Sequence, residues 1–228
     1  MPFTDIRVVA FAGNGTLFDM AAAVGHAADL LGPRAATVGA LWQAKLFEYA
    51  TLSAQIGRHA DAWSITGEAL DHALATLSVA DPLLRARLMQ AALQAPLFDD
   101  VKPVLAGLLP LRRKLALLTN ASPTMAIALA KAGGIYGAFD ALLSADDAGG
   151  RKPMAASYAL VTDRFAAAPA SVLYVSANAW DVAGASRAGL AAVWLNRSGA
   201  PPEYAWAQPR ATIGGLGELP GLLPGMPL

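Results

Sequence analysis

The chain has 228 residues, of which 55% are hydrophobic and 15% are charged, a composition that argues against disorder and fits one large domain or two small ones. Its 17 basic and 17 acidic residues balance, so charge gives no reason to expect a nucleic acid or an anionic membrane as partner. The chain contains no cysteine, which excludes disulfides, thiolate metal sites and a cysteine nucleophile.

The N-terminal residues, Met1 to Asp5, lead straight into an apolar stretch and do not form the pattern of a secretory signal. No apolar run reaches the roughly 18 residues that a membrane-spanning helix needs. Arg112, Arg113 and Lys114 interrupt the most apolar region. Because the absence of cysteine also fits a reducing compartment, we expect a cytoplasmic protein with no membrane partner.

Short apolar runs of the length of buried parallel strands recur along the chain. They cover Ile6–Phe11, Leu115–Thr119, Ala141–Ser144, Val172–Ser176 and Ala191–Leu195. Between the later runs, helices are predicted over Pro123–Gly133 with Ser122 as N-cap, over Pro153–Ala167 and over Asp181–Ala188. This alternation predicts an α/β domain with a doubly wound, mostly parallel, Rossmann-like sheet, whose ligand site lies at the carboxyl ends of the strands.

Residues 20–98 break this alternation and show only helical periodicity. The apolar positions Val38, Leu41, Trp42, Tyr49, Leu52 and Ile56 recur at helical spacing, and Asp81-Pro82 suits a helix start before Leu84, Leu88 and Ala92. The pattern predicts a helical cap over 20–98, inserted after the first strand, with 1–19 and 99–228 as the core domain. The tail from Gly214 to Leu228 is expected to form short turns along the surface.

Polar segments follow four of the predicted strands. They are Ala12–Leu17, Thr119-Asn120, Arg151–Pro153 and Ser176–Asp181. Each alone has a simpler interpretation, since the Gly-Asn-Gly-Thr loop suits a turn, Lys152 a solvated side chain and Asp181 a helix N-cap. Their order at successive strand ends favours one functional site, which would gather the side chains of Thr16, Thr119, Asn120, Lys152, Ser176, Asn178 and Asp181.

These segments carry a family resemblance. The series "FAGNGTLFD", "LLTNASP", "RKP", "YVSANAWDVAGASRAG" and "LNRSG" resembles the haloacid dehalogenase superfamily, and within it most closely the type II L-2-haloacid dehalogenases. The similarity extends over nearly the whole chain through "LWQAKLFEY", "GRHADAW" and "LGELPGLLPGM". The Ser-Ala-Asn-Ala-Trp-Asp segment is the most specific part, because phosphatase branches of the superfamily usually carry Gly-Asp there.

The resemblance also argues against a metal cofactor. Those phosphatases need an aspartate to bind Mg²⁺ at the position that Asn14 occupies here. The three histidines, His26, His59 and His72, show no metal-ligand spacing. We therefore expect no metal and no other cofactor.

The resemblance implies covalent catalysis by a carboxylate, which attacks the halogen-bearing carbon and forms an ester that water hydrolyses. It implies catalytic roles for position 12 and for Thr16, Lys152, Ser176, Asn178 and Asp181. It implies substrate binding by Gln43, Phe47, Thr119, Asn120, Tyr158 and Trp180, with Phe47 and Trp180 as apolar walls. A small carboxylate as substrate or ligand and a homodimer are implied as well.

Three positions depart from the family pattern. Ala12 stands where the nucleophilic aspartate belongs, Gln43 where a cationic cap arginine belongs, and Asn14 where an aromatic residue is usual. A methyl group cannot attack carbon, so the ester route is closed in the chain as written. Loss of a catalytic nucleophile typically lowers kcat by a factor on the order of 10⁴ to 10⁶.

Four interpretations follow from the motifs and the departures. The intact motif set favours a 2-haloacid hydrolase scaffold whose nucleophile was removed by design, and three departures rather than one favour a naturally diverged pseudoenzyme or small-carboxylate-binding protein. A different reaction, with Asp181 activating water or Lys152 reacting, has no positive support in the sequence. A dimerising structural protein is permitted by the apolar cap helices.

Overall fold

A computed structural model describes residues 3, 5–25, 27–58 and 60–223 of the chain. Its strands are β1 (Val8–Phe11), β2 (Lys114–Thr119), β3 (Ala141–Ser144), β4 (Val172–Ser176), β5 (Ala191–Leu195) and β6 (Ala211–Ile213). They form one sheet in the order β3-β2-β1-β4-β5-β6, with every neighbouring pair parallel. The α/β prediction is confirmed, although the first strand begins at Val8 rather than Ile6. The sequence pattern does not predict β6, because three residues with a polar one in the middle form no apolar run.

The centre of the sheet explains why the polar segments meet. Strand β1 lies between β2 and β4, and Phe11 pairs with both Leu117 and Val175. The strand order reverses direction on either side of β1, which is where doubly wound sheets open a crevice for ligands. The residues that directly follow these strands therefore lie at one edge of the sheet.

Five helices follow β1 within the inserted segment. They are α1 (Met20–Gly25), α2 (Ala28–Leu31), α3 (Ala35–Gln55), α4 (Ala62–Thr76) and α5 (Pro82–Ala92). The Asp81 carboxylate accepts hydrogen bonds from the Leu83 and Leu84 amides, which confirms the predicted start of α5. Trp42, Leu70, Leu84 and Leu88 belong to a hydrophobic core of this segment. None of the helices among the described residues has the length and apolar character to cross a lipid bilayer.

The inserted helices join the sheet through two chain passages that lie side by side. Phe18 forms an antiparallel bridge with Leu97. The Asp19 amide donates to the Pro96 carbonyl at 2.8 Å, and the Phe98 amide donates to the Leu17 carbonyl at 3.1 Å. We therefore propose 20–98 as the limits of the cap, because the chain enters the cap and leaves it at this bridge.

The remaining helices cover the sheet. They are α6 (Val101–Leu108), α7 (Pro123–Ala132), α8 (Ala155–Phe165), α9 (Ala179–Arg187) and α10 (Leu219–Leu222). Ser122 caps α7 as predicted. Helix α8 begins two residues later than predicted, because residues before it form a turn in which the Met154 amide donates to the Arg151 carbonyl. It ends at Phe165, since Ala166 adopts a left-handed conformation.

Helix α9 corrects the N-cap interpretation of Asp181. The helix begins at Ala179 with Asn178 as its N-cap residue, two residues earlier than predicted. Asp181 thus lies inside the first turn, and its side chain is fully buried. The carboxylate is directed into the protein rather than used to start the helix.

The chain after β6 differs from the predicted surface turns. Leu216, Leu219 and Leu223 are buried in the main hydrophobic core, because they recur at the spacing that places side chains on one helical face. The Asp100 carboxylate accepts a 2.9 Å hydrogen bond from the Leu216 amide and fixes the start of this turn. Residues 224–228 of the predicted tail lie outside the described residues.

Replacement of Trp42 tests the core of the inserted helices. This side chain is 1% exposed, and its indole nitrogen donates to the Thr66 carbonyl of α4 at 2.9 Å. We expect Trp42→Ala to lower the free energy of unfolding by about 3–5 kcal/mol through the cavity it leaves. Urea denaturation followed by circular dichroism measures this change. Trp206→Ala is the control, because Trp206 is 70% exposed and should change stability by less than about 0.5 kcal/mol.

Candidate functional site

The loop after β1 is folded tightly under the carboxyl edge of the sheet. The Gly13 carbonyl accepts hydrogen bonds from the amides of Thr16, Leu17 and Phe18, and Gly15 has a φ of 75°, a conformation that favours glycine. The Thr16 hydroxyl is fully buried and accepts a 2.9 Å hydrogen bond from the Ala177 amide. Thr16 therefore joins the first loop to the loop after β4.

A buried ion pair lies at the centre of the site. Lys152 Nζ donates to Asp181 Oδ2 at 2.7 Å, and the two side chains are 4% and 0% exposed. The Asp181 carboxylate also accepts hydrogen bonds from the hydroxyls of Tyr158 at 2.7 Å, Tyr174 at 2.9 Å and Ser176 at 2.9 Å. Because every donor points at the same carboxylate, the charge of Asp181 is fully compensated without water.

The two phenols of this network remain protonated donors. Burial, with the adjacent Asp181 carboxylate, raises the pKa of Tyr158 and of Tyr174 well above the ordinary tyrosine value. A glycine allows α8 and α9 to approach closely enough for this packing. A Cβ atom at Gly184 would collide with the Tyr158 hydroxyl and with Pro153.

Asn120 positions the backbone that carries Lys152. Asn120 Oδ1 accepts a 2.8 Å hydrogen bond from the Lys152 amide, and its Nδ2 donates to the Lys152 carbonyl at 3.2 Å. The neighbouring Thr119 hydroxyl accepts from the Ala121 amide at 3.1 Å. Both residues line a cavity at this edge of the sheet. The side-chain amide of Asn120, however, already forms hydrogen bonds with the backbone of Lys152.

Arg151 links the sheet edge to the inserted helices, a role that the sequence pattern does not reveal. Its guanidinium donates to the Asn120 carbonyl at 3.0 Å and to the Ala60 carbonyl at 3.1 Å, and it forms a 3.0 Å ion pair with Asp146. Burial raises the pKa of Asp146, against the opposing pull of Arg151. The one sequence feature that points to Arg151 is its position next to Lys152 in the segment "RKP".

Two of the departures from the family pattern contact each other. Asn14 Nδ2 donates to Gln43 Oε1 at 2.6 Å, which joins the first loop to helix α3. Gln43 Nε2 is buried and has no hydrogen-bond partner in the described part of the chain. An unsatisfied buried donor costs about 1–3 kcal/mol, so the contact with Asn14 leaves the Gln43 amide only partly satisfied.

Aromatic side chains and Asn178 close the side of the site. The rings of Phe47 and Trp180 lie 4.8 Å apart, between α3 and α9. Asn178 Nδ2 donates to the Asn14 carbonyl at 3.1 Å, and the backbone amide of Asn178 donates to the Ser176 hydroxyl at 3.2 Å. Phe47 and Trp180 therefore lie together beside the loops, and their role as apolar walls stays a prediction.

These elements enclose a cavity of about 240 Å³ between the sheet edge and the inserted helices. Of the predicted site residues, those that line it are Ala12, Gln43, Phe47, Thr119, Asn120, Lys152, Asn178 and Trp180. Thr16, Ser176 and Asp181 lie behind the wall as supports. Tyr158 also lies behind the wall. It contacts Asp181 and does not line the cavity that is expected to receive the substrate. The charged lining residues among those described are Arg151 and Lys152, and no carboxylate joins them.

The residues of the site do not form a metal centre of ordinary composition. Among the described residues there is no group of three or more His, Asp or Glu side chains placed to hold a metal ion. His26 and His59 lie outside the described residues. The absence of a cofactor stays a prediction from the sequence.

The comparisons with known proteins agree with one another. A family model described as haloacid dehalogenase-like hydrolase matches residues 6–189. The (S)-2-haloacid dehalogenase 4A of Burkholderia cepacia is 36% identical over 219 residues, which cover 96% of this chain and 95% of the relative. The (S)-2-haloacid dehalogenase of Xanthobacter autotrophicus is 37% identical over 193 residues, or 84% of this chain and 76% of the relative.

The solved structures extend the likeness to three dimensions. The L-2-haloacid dehalogenase from Xanthobacter autotrophicus, solved with chloropropionic acid covalently bound, superposes with a TM-score of 0.87 at 34% identity and covers 95% of this chain and 98% of its own. A further dehalogenase crystal structure superposes with a TM-score of 0.93 at 36% identity over 96% of this chain and 97% of its own. The chain therefore belongs to the haloacid dehalogenase-like hydrolases, in agreement with the resemblance of its strand-end motifs to the L-2-haloacid dehalogenases.

Proposed function

We propose that this chain is a scaffold for hydrolytic dehalogenation of small 2-halo carboxylic acids, and that Ala12 leaves it without that activity as written. The observation that carries the proposal is the buried Lys152–Asp181 pair at the cavity wall that Ala12 also lines. A buried lysine with its charge compensated from behind would hold a carboxylate at position 12 ionised and oriented. The names of the relatives support the substrate class.

The proposed reaction needs a carboxylate at position 12. One carboxylate oxygen would bond to C2 of the acid while the carbon–halogen bond breaks, and the halide would leave with the bonding electron pair. Water would then hydrolyse the aspartyl ester to the 2-hydroxy acid and restore the carboxylate. The covalently bound chloropropionic acid of the Xanthobacter autotrophicus structure supports a covalent route for this site.

The residues of this chain would supply the surroundings of that reaction. The Lys152 ammonium would fix the attacking carboxylate, while the aromatic pair of Phe47 and Trp180 would give the substrate an apolar surface to pack against. Gln43 and Asn14 would receive the leaving group with neutral amides. A neutral amide stabilises a departing anion less than a guanidinium does, so this site is weaker at halide release than one with arginine at position 43.

A small-carboxylate-binding protein is the second candidate function. It is favoured by a cavity that has Arg151 and Lys152 in its wall and no carboxylate among its described lining residues. Calorimetric titration with 2-chloropropionate and 2-hydroxypropionate tests this candidate, and absence of binding at millimolar ligand would contradict it.

A homodimer, which the resemblance implies, and a cytoplasmic location, which the composition favours, both stay predictions. Leu52 and Ile56, in the last turn of α3 and just after it, are 50% and 65% exposed, and such apolar surface supports an interface with a second copy. Sedimentation velocity measures the oligomeric state. A monomer at micromolar concentration would contradict the dimer without affecting the proposed reaction.

Restoring the carboxylate is the direct test of the proposal. We expect Ala12→Asp to release chloride from 2-chloropropionate at a rate on the order of 10⁴-fold or more above the chain as written, because the nucleophile is restored beside Lys152. Ion chromatography of chloride measures the rate. Ala12→Asn is the matched control, since it fills the same space without a carboxylate. Equal rates for two folded variants would refute the proposal.

Position 43 gives an independent test of the leaving-group environment. In the Ala12→Asp background we expect Gln43→Arg to raise the rate of chloride release by about 10-fold or more, since a fixed cation replaces a neutral amide. Gln43→Arg without Ala12→Asp should stay inactive. Gln43→Leu in the same background serves as the control for size. A rate for Gln43→Arg no higher than for Gln43→Leu would show that charge at this position is unimportant.

The buried pair also makes a prediction about stability. We expect Lys152→Met to lower the free energy of unfolding by about 3–5 kcal/mol, because Asp181 would be left buried without its cation. Urea denaturation gives the value. Lys45→Met is the control, because the Lys45–Glu48 pair lies at the surface and should contribute less than about 1 kcal/mol. Similar losses for the two variants would contradict the central role of the pair.

A further inference from the structure

We propose that the cavity receives an acid with an unbranched hydrocarbon chain of about six carbons, and that this chain lies between α7 of the core and helices α3 and α5. The inference rests on the proposed function for the position of the carboxylate end, and it adds the class of acid that the site selects. Ala50, Ala92 and Ala126 are the residues that set the length of the chain.

The size of the cavity exceeds the needs of a three-carbon acid. 2-Chloropropionate has six non-hydrogen atoms, as many as benzene, and a protein cavity of roughly 150 Å³ accommodates benzene. The cavity here measures about 240 Å³. About three further groups of the size of a water molecule or a methylene would fill the difference.

The cavity is polar at one end and apolar at the other. Ala12 belongs to the core cluster on the α8–α9 face of the sheet, and Lys152, Asn120 and Gln43 supply polar atoms near it. Beyond the carboxyl edge of the sheet, the wall is formed by side chains that pack with the core cluster on the other face. Those lining side chains are Phe18, Met20, Ala126 and Leu129.

Buried side chains form part of the wall at the apolar end. They include Phe18, Ala126 and Leu129, which are 1%, 1% and 8% exposed. The cap also contributes Thr51 and Thr66 to the lining, and the Thr66 hydroxyl already donates to the Ala62 carbonyl at 2.7 Å. A hydrocarbon chain suits such a wall, because burial of apolar surface is the main gain available there.

Three alanines create the space at this end. Ala50 projects from α3, Ala92 from α5 and Ala126 from α7, and all three line the cavity and are 8%, 3% and 1% exposed. A leucine at any of them would occupy the volume that the proposed chain needs. Their placement on three different helices makes the length of the chain a property of how the cap meets the core.

Binding of a homologous series of acids tests the inference on the protein with Ala12 unchanged. The ligands are 2-hydroxy acids of three, four, six and eight carbons, titrated by calorimetry, so that no turnover is needed. Each buried methylene is worth about fourfold in affinity, so Kd should fall about fourfold per carbon up to six carbons and level off at eight. Equal affinity along the series, or no binding of any acid at millimolar concentration, would overturn the inference.

Variants locate the chain within the cavity. Ala126→Leu should remove the gain, leaving the six-carbon acid within about twofold of the three-carbon acid. Ala132→Leu is the matched control, because Ala132 is an exposed residue of the same helix and should keep the full gain. Ala50→Leu repeats the test from the cap if Ala126→Leu does not fold.

The outcomes separate this inference from the proposed function. A gain with chain length that persists in both Ala126→Leu and Ala50→Leu would overturn the placement of the chain. Chloride release by Ala12→Asp from 2-chloropropionate, combined with equal affinity along the series, would support the proposed function and refute the inference. A steep series combined with an inactive Ala12→Asp would support the inference on the cavity and refute the reaction.

Discussion

The rest of the site depends on one interaction, the ion pair between Lys152 and Asp181 inside the protein. Two charges removed from water are stable together only when the geometry is good and the remaining lone pairs are satisfied. Here three hydroxyls complete the carboxylate, and Asn120 holds the lysine backbone from both sides. This requirement fixes the spacing of β2, β4, α8 and α9, and so the shape of the cavity wall.

Position 12 takes no part in this arrangement. Position 12 contributes no hydrogen bond to the Lys152–Asp181 network, which is complete among residues from β4, α8, α9 and the segment before α8. A methyl group at position 12 therefore leaves the polar network intact, and under the proposed function it would also remove the reacting atom. The network that stabilises this edge of the sheet does not include position 12.

The sequence predicts the place of the site better than the direction of its side chains. Polar residues at strand ends, such as Thr16 and Asn178, are visible because they interrupt apolar runs, and parallel strands bring them together. Tyr174 is not visible, since it lies within an apolar run and only packing turns its hydroxyl towards Asp181. The contact of Arg151 with Ala60 depends on how the cap sits on the core, which local periodicity does not encode.

Positions 14 and 43, which both depart from the family pattern, are physically coupled to each other. Gln43 Oε1 accepts its hydrogen bond from Asn14 Nδ2, and each amide lowers the cost of burying the other. Ala12 has no such partner and is independent of them. Position 12 and the amide pair are therefore separate in physical terms. Under the proposed function, the amide pair would change what a bound acid contacts, whereas position 12 would decide whether the acid reacts.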